Sequence, residues 1–189
     1  MKKMLAILGS PRKNGNVANM LKIAMEEGEK KGYEVHYINL YEKKIAPCLG
    51  CMACKQTQAC RLKDDIEEIR KLLIESDLTV LASPTYFANV SAPIKNMFDR
   101  LVGVVMDDNE SMIPKPRLSA NHKYILLTAC NTPAPFDRLA GQSSGAIKMM
   151  KEFFNISGMK YGGSAIFAGT RDKKEVPTSV VSKIKKLIK

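Results

Sequence analysis

Short apolar runs alternate with longer amphipathic stretches along the chain. Runs at residues 4–8, 35–40, 78–82, 124–128 and 164–168 predict five strands. Those at 4–8 and 125–127 carry no polar interruption and that at 78–82 only Thr79, the pattern of central parallel strands covered by helices on both faces. Between the runs the apolar positions change to helical spacing. Val17, Met20, Leu21, Ala24 and Gly28 predict a helix over 16–31, stopped by Gly32 in a C′ position. Ile66, Ile69, Leu72 and Leu73 predict another after Asp64, whose carboxylate would cap it while Glu67 completes a capping box. Further helices are predicted at 92–105, 144–157 and 175–188. The alternating order βαβαβαβαβα predicts a doubly wound α/β sheet with right-handed crossovers.

Three connections exceed what such a sheet needs: 41–63, 106–121 and 129–143. Long connections in a compact fold carry function more often than the elements they join. No internal repeat or low-complexity tract interrupts the pattern, and 189 residues fit one domain with a cysteine-rich insertion at about 41–63. Hydrophobic residues make up 45% and charged residues 26%, with no apolar run of membrane-spanning length. The apolar stretch after Lys2 and Lys3 ends at Gly9, too short for a signal peptide. The expectation is a cytoplasmic protein without membrane attachment, whose five cysteines are thiols, metal ligands or redox groups rather than disulfides. A net charge of +11 draws anionic partners without selecting among them. The basic run at 183–189 places Ile184, Leu187 and Ile188 on one helical face, so it reads as a solvated terminal helix and not a nucleic-acid patch.

Chemistry concentrates at two strand-to-helix turns. The first reads Gly9-Ser10-Pro11-Arg12-Lys13-Asn14-Gly15-Asn16. A helix N-terminus offers unpaired N–H groups and partial positive charge. Ser10, Asn14 and Asn16 add hydroxyl and amide donors, and Arg12 a cationic fork, so the loop suits a phosphate. It is neither G-x-G-x-x-G, since Pro11 takes the second glycine position, nor G-x-x-x-x-G-K-[ST], since Asn14 takes that motif's second glycine. A cofactor with one phosphate fits better than a dinucleotide or ATP. The second turn holds Pro84, Thr85, Tyr86, Phe87 and Asn89 after the third strand. In a sheet of order 2-1-3-4-5 the two turns are neighbours at the reversal point, one for a phosphate and one for a flat ring, which together describe an FMN site.

Residues 9–16, the run Ser83-Pro84-Thr85-Tyr86-Phe87 and the run Lys95-Asn96-Met97-Phe98-Asp99-Arg100 resemble the NADPH-dependent FMN reductase family of flavodoxin-like proteins. The likeness is strong over 1–105 and general beyond, where Thr128, Ala129, Cys130 and Asn131 stand where the family completes its ring pocket. It implies FMN held by Ser10, Arg12, Asn16, Val17 and residues 84–87. Val17 departs from the hydroxyl residue many relatives place there. It also implies that the flavin N5 carries the reaction, with no dedicated catalytic side chain.

Cys48, Cys51, Cys54 and Cys60 fall within thirteen residues. Three thiolates at steps of three can wrap one compact cluster whose fourth corner takes a later cysteine, whereas zinc sites usually draw paired ligands from separated knuckles. The spacing resembles that of the iron–sulfur flavoprotein branch of the family. This implies a [4Fe–4S] cluster relaying electrons to FMN from a donor such as a ferredoxin. Relatives without a cluster carry similar cysteines, so the alternative is four free thiols in an NAD(P)H-dependent FMN or quinone reductase. A non-enzymatic flavodoxin-like carrier is the further alternative. Relatives that oligomerise imply a homodimer or homotetramer, with the 106–121 connection, including Asp107, Asp108, Asn109, Glu110 and Pro114, covering a neighbour's flavin. Cys130, at the end of a buried run, reads as packing, as do His36 and His122.

Overall fold

A computed structural model describes residues 1–107, 114–171, 173 and 175–189. The elements run β1 (Lys2–Leu8), α1 (Asn16–Lys30), β2 (Tyr33–Asn39), α2 (Ala53–Thr57), α3 (Ile66–Glu75), β3 (Leu78–Pro84), α4 (Ala92–Val105), β4 (Met106–Asp107), β5 (Lys115–Pro116), β6 (Lys123–Cys130), α5 (Phe136–Leu139), α6 (Gln142–Ile156), β7 (Lys160–Ala168) and α7 (Thr178–Leu187). The main sheet has the order β2-β1-β3-β6-β7, parallel throughout, which is the flavodoxin-like order 2-1-3-4-5. A two-residue antiparallel ribbon of β4 and β5 lies apart from it.

Why the central runs show no polar alternation is plain from the two cores. Met4, Ala6 and Leu8 of β1 join Val80, Ala82, Ile125 and Leu127 against α1 and α7 on one face. Leu5 and Ile7 join Leu81, Tyr124 and Leu126 against α3, α4 and α6 on the other. Each successive residue enters an opposite core, so both parities must be apolar. Each fully buried aliphatic side chain contributes roughly 1.5–3 kcal/mol.

Boundaries follow local chemistry. Gly32 adopts φ +81° just past α1, as a C′ glycine should. At α3 the Asp64 carboxylate accepts the Ile66 N–H at 3.2 Å, but no capping box closes, because the Glu67 carboxylate is taken by Arg70 at 2.6 and 2.7 Å. Two short helices, α2 and α5, lie inside connections predicted as loops. Within 106–121, Asp107 pairs with Arg117 at 3.1 Å, while Asp108, Asn109 and Glu110 lie outside the described residues. Among the described residues no helix is long and apolar enough to cross a membrane.

Candidate functional site

The chain passes to one side of β1 through α1 and to the other through β3, so strand order reverses between β1 and β3. The loops after these two strands therefore stand side by side. The Gly9 N–H donates to the Ala82 carbonyl at 2.8 Å, and a Cβ on Gly9 would stand 2.2 Å from Ile94 of α4. A side chain here would force Ile94 to move aside.

In the first loop Ser10 is buried and its hydroxyl oxygen accepts the Arg12 N–H at 3.2 Å, which turns the chain outward. Arg12 and Asn14 are exposed, and Lys13 pairs with Glu42. Helix α1 begins after Gly15 with no side-chain cap and no acidic residue in its first turn. Its leading N–H groups are thus left to a ligand or water. One amide hydrogen of Asn16 is committed to the Lys173 carbonyl at 3.1 Å. Val17 sits in the core with α1's inner face, so it offers this loop a backbone N–H and no side chain.

The second loop is a strained tight turn. Tyr86 and Asn89 exchange backbone hydrogen bonds, both at 2.9 Å, while Phe87 and Ala88 between them adopt φ +49° and +59°. Two consecutive non-glycine residues in the left-handed region cost about 1–2 kcal/mol each. The geometry aims Phe87 wholly into solvent beside the half-exposed Tyr86. Pro84 ends β3, and the Thr85 N–H donates to the Ala129 carbonyl at 3.0 Å. The Thr128 hydroxyl donates to the Ser83 carbonyl at 2.8 Å, which leaves the Thr85 hydroxyl to donate to Thr128 across 3.0 Å. Asn89 is exposed and its side-chain oxygen accepts the Val90 N–H at 2.8 Å. Asn131 is likewise exposed, holding Thr170 at 2.9 Å. Cys130 is buried, and burial pushes its thiol above the ordinary range, consistent with a packing role.

The four clustered cysteines line one apolar cavity of about 100 Å³ together with Leu62, Asp99, Arg100 and Val102. Cys48 and Cys51 are exposed; Cys54 and Cys60 are partly buried. Among the described residues no group of three His, Cys, Asp or Glu side chains is arranged around a single metal ion. A groove of about 670 Å³ leads from Cys48 past Tyr41 and Lys43 to Ala92 and Pro93 at the head of α4, so it reaches the foot of the second loop.

One residue outside the predicted set organises this region. Arg100 is fully buried, and its guanidinium meets both carboxylate oxygens of Asp64 at 2.8 and 2.9 Å, the Ala46 carbonyl at 2.6 Å, the Leu62 carbonyl at 3.3 Å and the Cys60 sulfur at 3.1 Å. Burial opposes its charge, but the bonds to Asp64 and Cys60 hold its pKa above the usual guanidinium value. The signal was its position: Arg100 falls among Met97, Leu101 and Val104 on the buried face of α4.

The family model of NADPH-dependent FMN reductases matches residues 2–132. The chain belongs to this family. Among family relatives, an iron–sulfur flavoprotein of Archaeoglobus fulgidus is 44% identical over 100 residues, covering 53% of this chain and 46% of that protein. Another, from Methanocaldococcus jannaschii, is 40% identical over 98 residues, covering 52% and 51%. The chain spans about half the length of these flavoproteins. Among solved structures, an FMN-dependent NADH-azoreductase of Bacillus anthracis in complex with FMN superposes with a TM-score of 0.74 at 17% identity, covering 99% of this chain and 96% of that one. That likeness is one of fold.

Proposed function

We propose that this chain is a flavin-dependent oxidoreductase that binds FMN at the paired loops and a [4Fe–4S] cluster at Cys48, Cys51, Cys54 and Cys60. The observation that carries it is the four thiols around one cavity, with a groove leading from Cys48 to the foot of the second loop.

The donor set fits a phosphate. The uncapped first turn of α1 points its N–H groups, including that of Val17, at the space framed by Ser10, Arg12, Asn14 and Asn16. The ring would lie against Pro84, Thr85, Tyr86, Phe87 and Asn89, where Thr85 is braced through Thr128 to the end of β6. Bound FMN would supply hydride and single-electron chemistry at its N5, so these residues need only orient it and shield one side from water. Four cysteines lining one apolar cavity are the donor set that a [4Fe–4S] cluster takes. A cluster there would supply one-electron transfer.

An acidic donor such as a ferredoxin suits the excess positive charge, with a small-molecule acceptor at the flavin and a homodimer or homotetramer in the cytoplasm as the working form. The exposure of Cys48 and Cys51 favours the second reading, free thiols in a reductase fed by NADH or NADPH. Anaerobic purification, a visible absorption spectrum and counts of FMN, iron and sulfide per chain test both. About four irons and four sulfides beside one flavin support the relay. Flavin without iron supports the nicotinamide-driven reductase, and a colourless protein that takes up no FMN overturns both.

A further inference from the structure

Helix α4 is built as a platform for the cysteine loop, and the attachments do not depend on metal. Asn96 donates to the Ile45 carbonyl at 3.1 Å, and Arg100 gathers Ala46, Cys60, Leu62 and Asp64; beyond the helix, Arg117 bridges the Gly103 carbonyl of α4 at 2.9 Å to the Lys55 carbonyl at 3.3 Å. Gly103 completes the platform, since a Cβ there would stand 2.3 Å from the Cys54 carbonyl oxygen. Cys54 and Cys60 are therefore fixed on α4, while Cys48 and Cys51 hang from a segment held at Ala46.

Arg100 differs from the other anchors because one of its donors, Nε, is spent on a sulfur. A hydrogen bond and a positive charge at a ligand sulfur stabilise the more electron-rich state of an iron–sulfur centre. Asp64, bidentate on the same guanidinium, offsets that charge.

We propose that Arg100 is a positioning residue of the cysteine site that holds Cys60 in place for its metal and, through the Nε–H on the Cys60 sulfur, raises the reduction potential of the cluster. Asp64 sets how far. The inference rests on the reading of residues 48–60 as a [4Fe–4S] ligand set.

The two residues act with opposite sign, which a merely structural role would not. In Arg100→Lys the charge stays but the planar fork and its Nε–H go, and the cluster should become harder to reduce, by about fivefold in its one-electron equilibrium. In Asp64→Asn the guanidinium charge is unmasked and the cluster should become easier to reduce. Both are read by redox titration of anaerobic holoprotein, with dithionite supplying the electron and the EPR signal of the reduced cluster followed.

A measurement on the unmutated chain stands beside these in case a variant does not fold. Protein grown with arginine ¹⁵N-labelled in the guanidinium should show ¹⁵N hyperfine coupling to the reduced cluster. Unmutated protein that loads no iron overturns the cluster reading and this inference together. A loaded cluster whose potential is unmoved in both variants, or moves the same way in both, or that lacks ¹⁵N coupling, overturns the role of Arg100 and leaves the cluster standing.

Discussion

Gly145 in the first turn of α6 faces the Ala88 carbonyl so closely that a Cβ would stand 2.1 Å from its oxygen. The strained turn at 86–89 is thus backed by a bare helix surface, and its shape depends on that surface staying bare. Gly145→Ala should cost about 1–3 kcal/mol by overpacking and push the turn toward the flavin space. FMN affinity should fall at least tenfold, as read by flavin fluorescence quenching, with urea denaturation of the apoprotein giving the stability change.

Ala88 holds φ +59° without being glycine. Ala88→Gly should therefore stabilise the apoprotein, by up to about 1 kcal/mol after the added freedom of the unfolded chain is subtracted. A rise in the urea midpoint at constant m-value checks this.

If Arg12 pairs with a phosphate, its loss should be felt by FMN and not by riboflavin. Arg12→Ala is expected to reduce the preference for FMN over riboflavin at least tenfold while leaving riboflavin affinity nearly unchanged. Isothermal titration with both ligands gives the ratio, and an equal loss for the two would remove the phosphate from this loop.

At Gly103 the expected effect is confined to the cysteine loop. Gly103→Ala drives a methyl into the Cys54 backbone. Iron per chain should drop below half that of the unmutated protein, while FMN stoichiometry holds.

Tyr124 is wholly buried, and burial pushes its phenol up to about 12. Its hydroxyl donates to Asn155 at 2.5 Å. A raised folded pKa favours the protonated form, so its contribution is complete below the unfolded value of about 10 and is lost as pH climbs to about 12. Two units correspond to about 3 kcal/mol at most. Tyr124→Phe should cost about 1 kcal/mol at pH 7 through the lost bond, yet unfold less steeply than the unmutated chain between pH 10 and 12. Denaturant midpoints across that range decide it.

Much of the fold was legible because its periodicities are strong. The mostly apolar runs of β1, β3 and β6 mark strands buried on both faces, and α4 begins and ends at the residues its apolar spacing indicated. The capping box at α3 did not form because Arg70, three residues on in the same helix, takes the Glu67 carboxylate, a local competition that the motif alone does not weigh. Helix α2 was hidden because five residues hold too few apolar positions to show a period, and left-handed Met52 and Gln58 bracket it. At the candidate site the two loops could be read from residue types and the burial of Val17 from the apolar spacing of α1, but the commitment of Asn16 depends on Lys173, 157 residues away. Arg100 drew notice only as part of a family motif, since its partners lie 36 to 54 residues upstream.

The manner in which the cysteine loop is fastened bears on how this family can diversify. Most of the anchors on α4, and Arg117 beside it, grip backbone carbonyls and the Asp64 carboxylate, and a single bond goes to sulfur. A lineage replacing its thiols one by one would surrender the metal while keeping the loop's path and the flavin turns intact. Metal binding by this loop would then be separable from the fold, open to change by a few point substitutions on an unchanged scaffold.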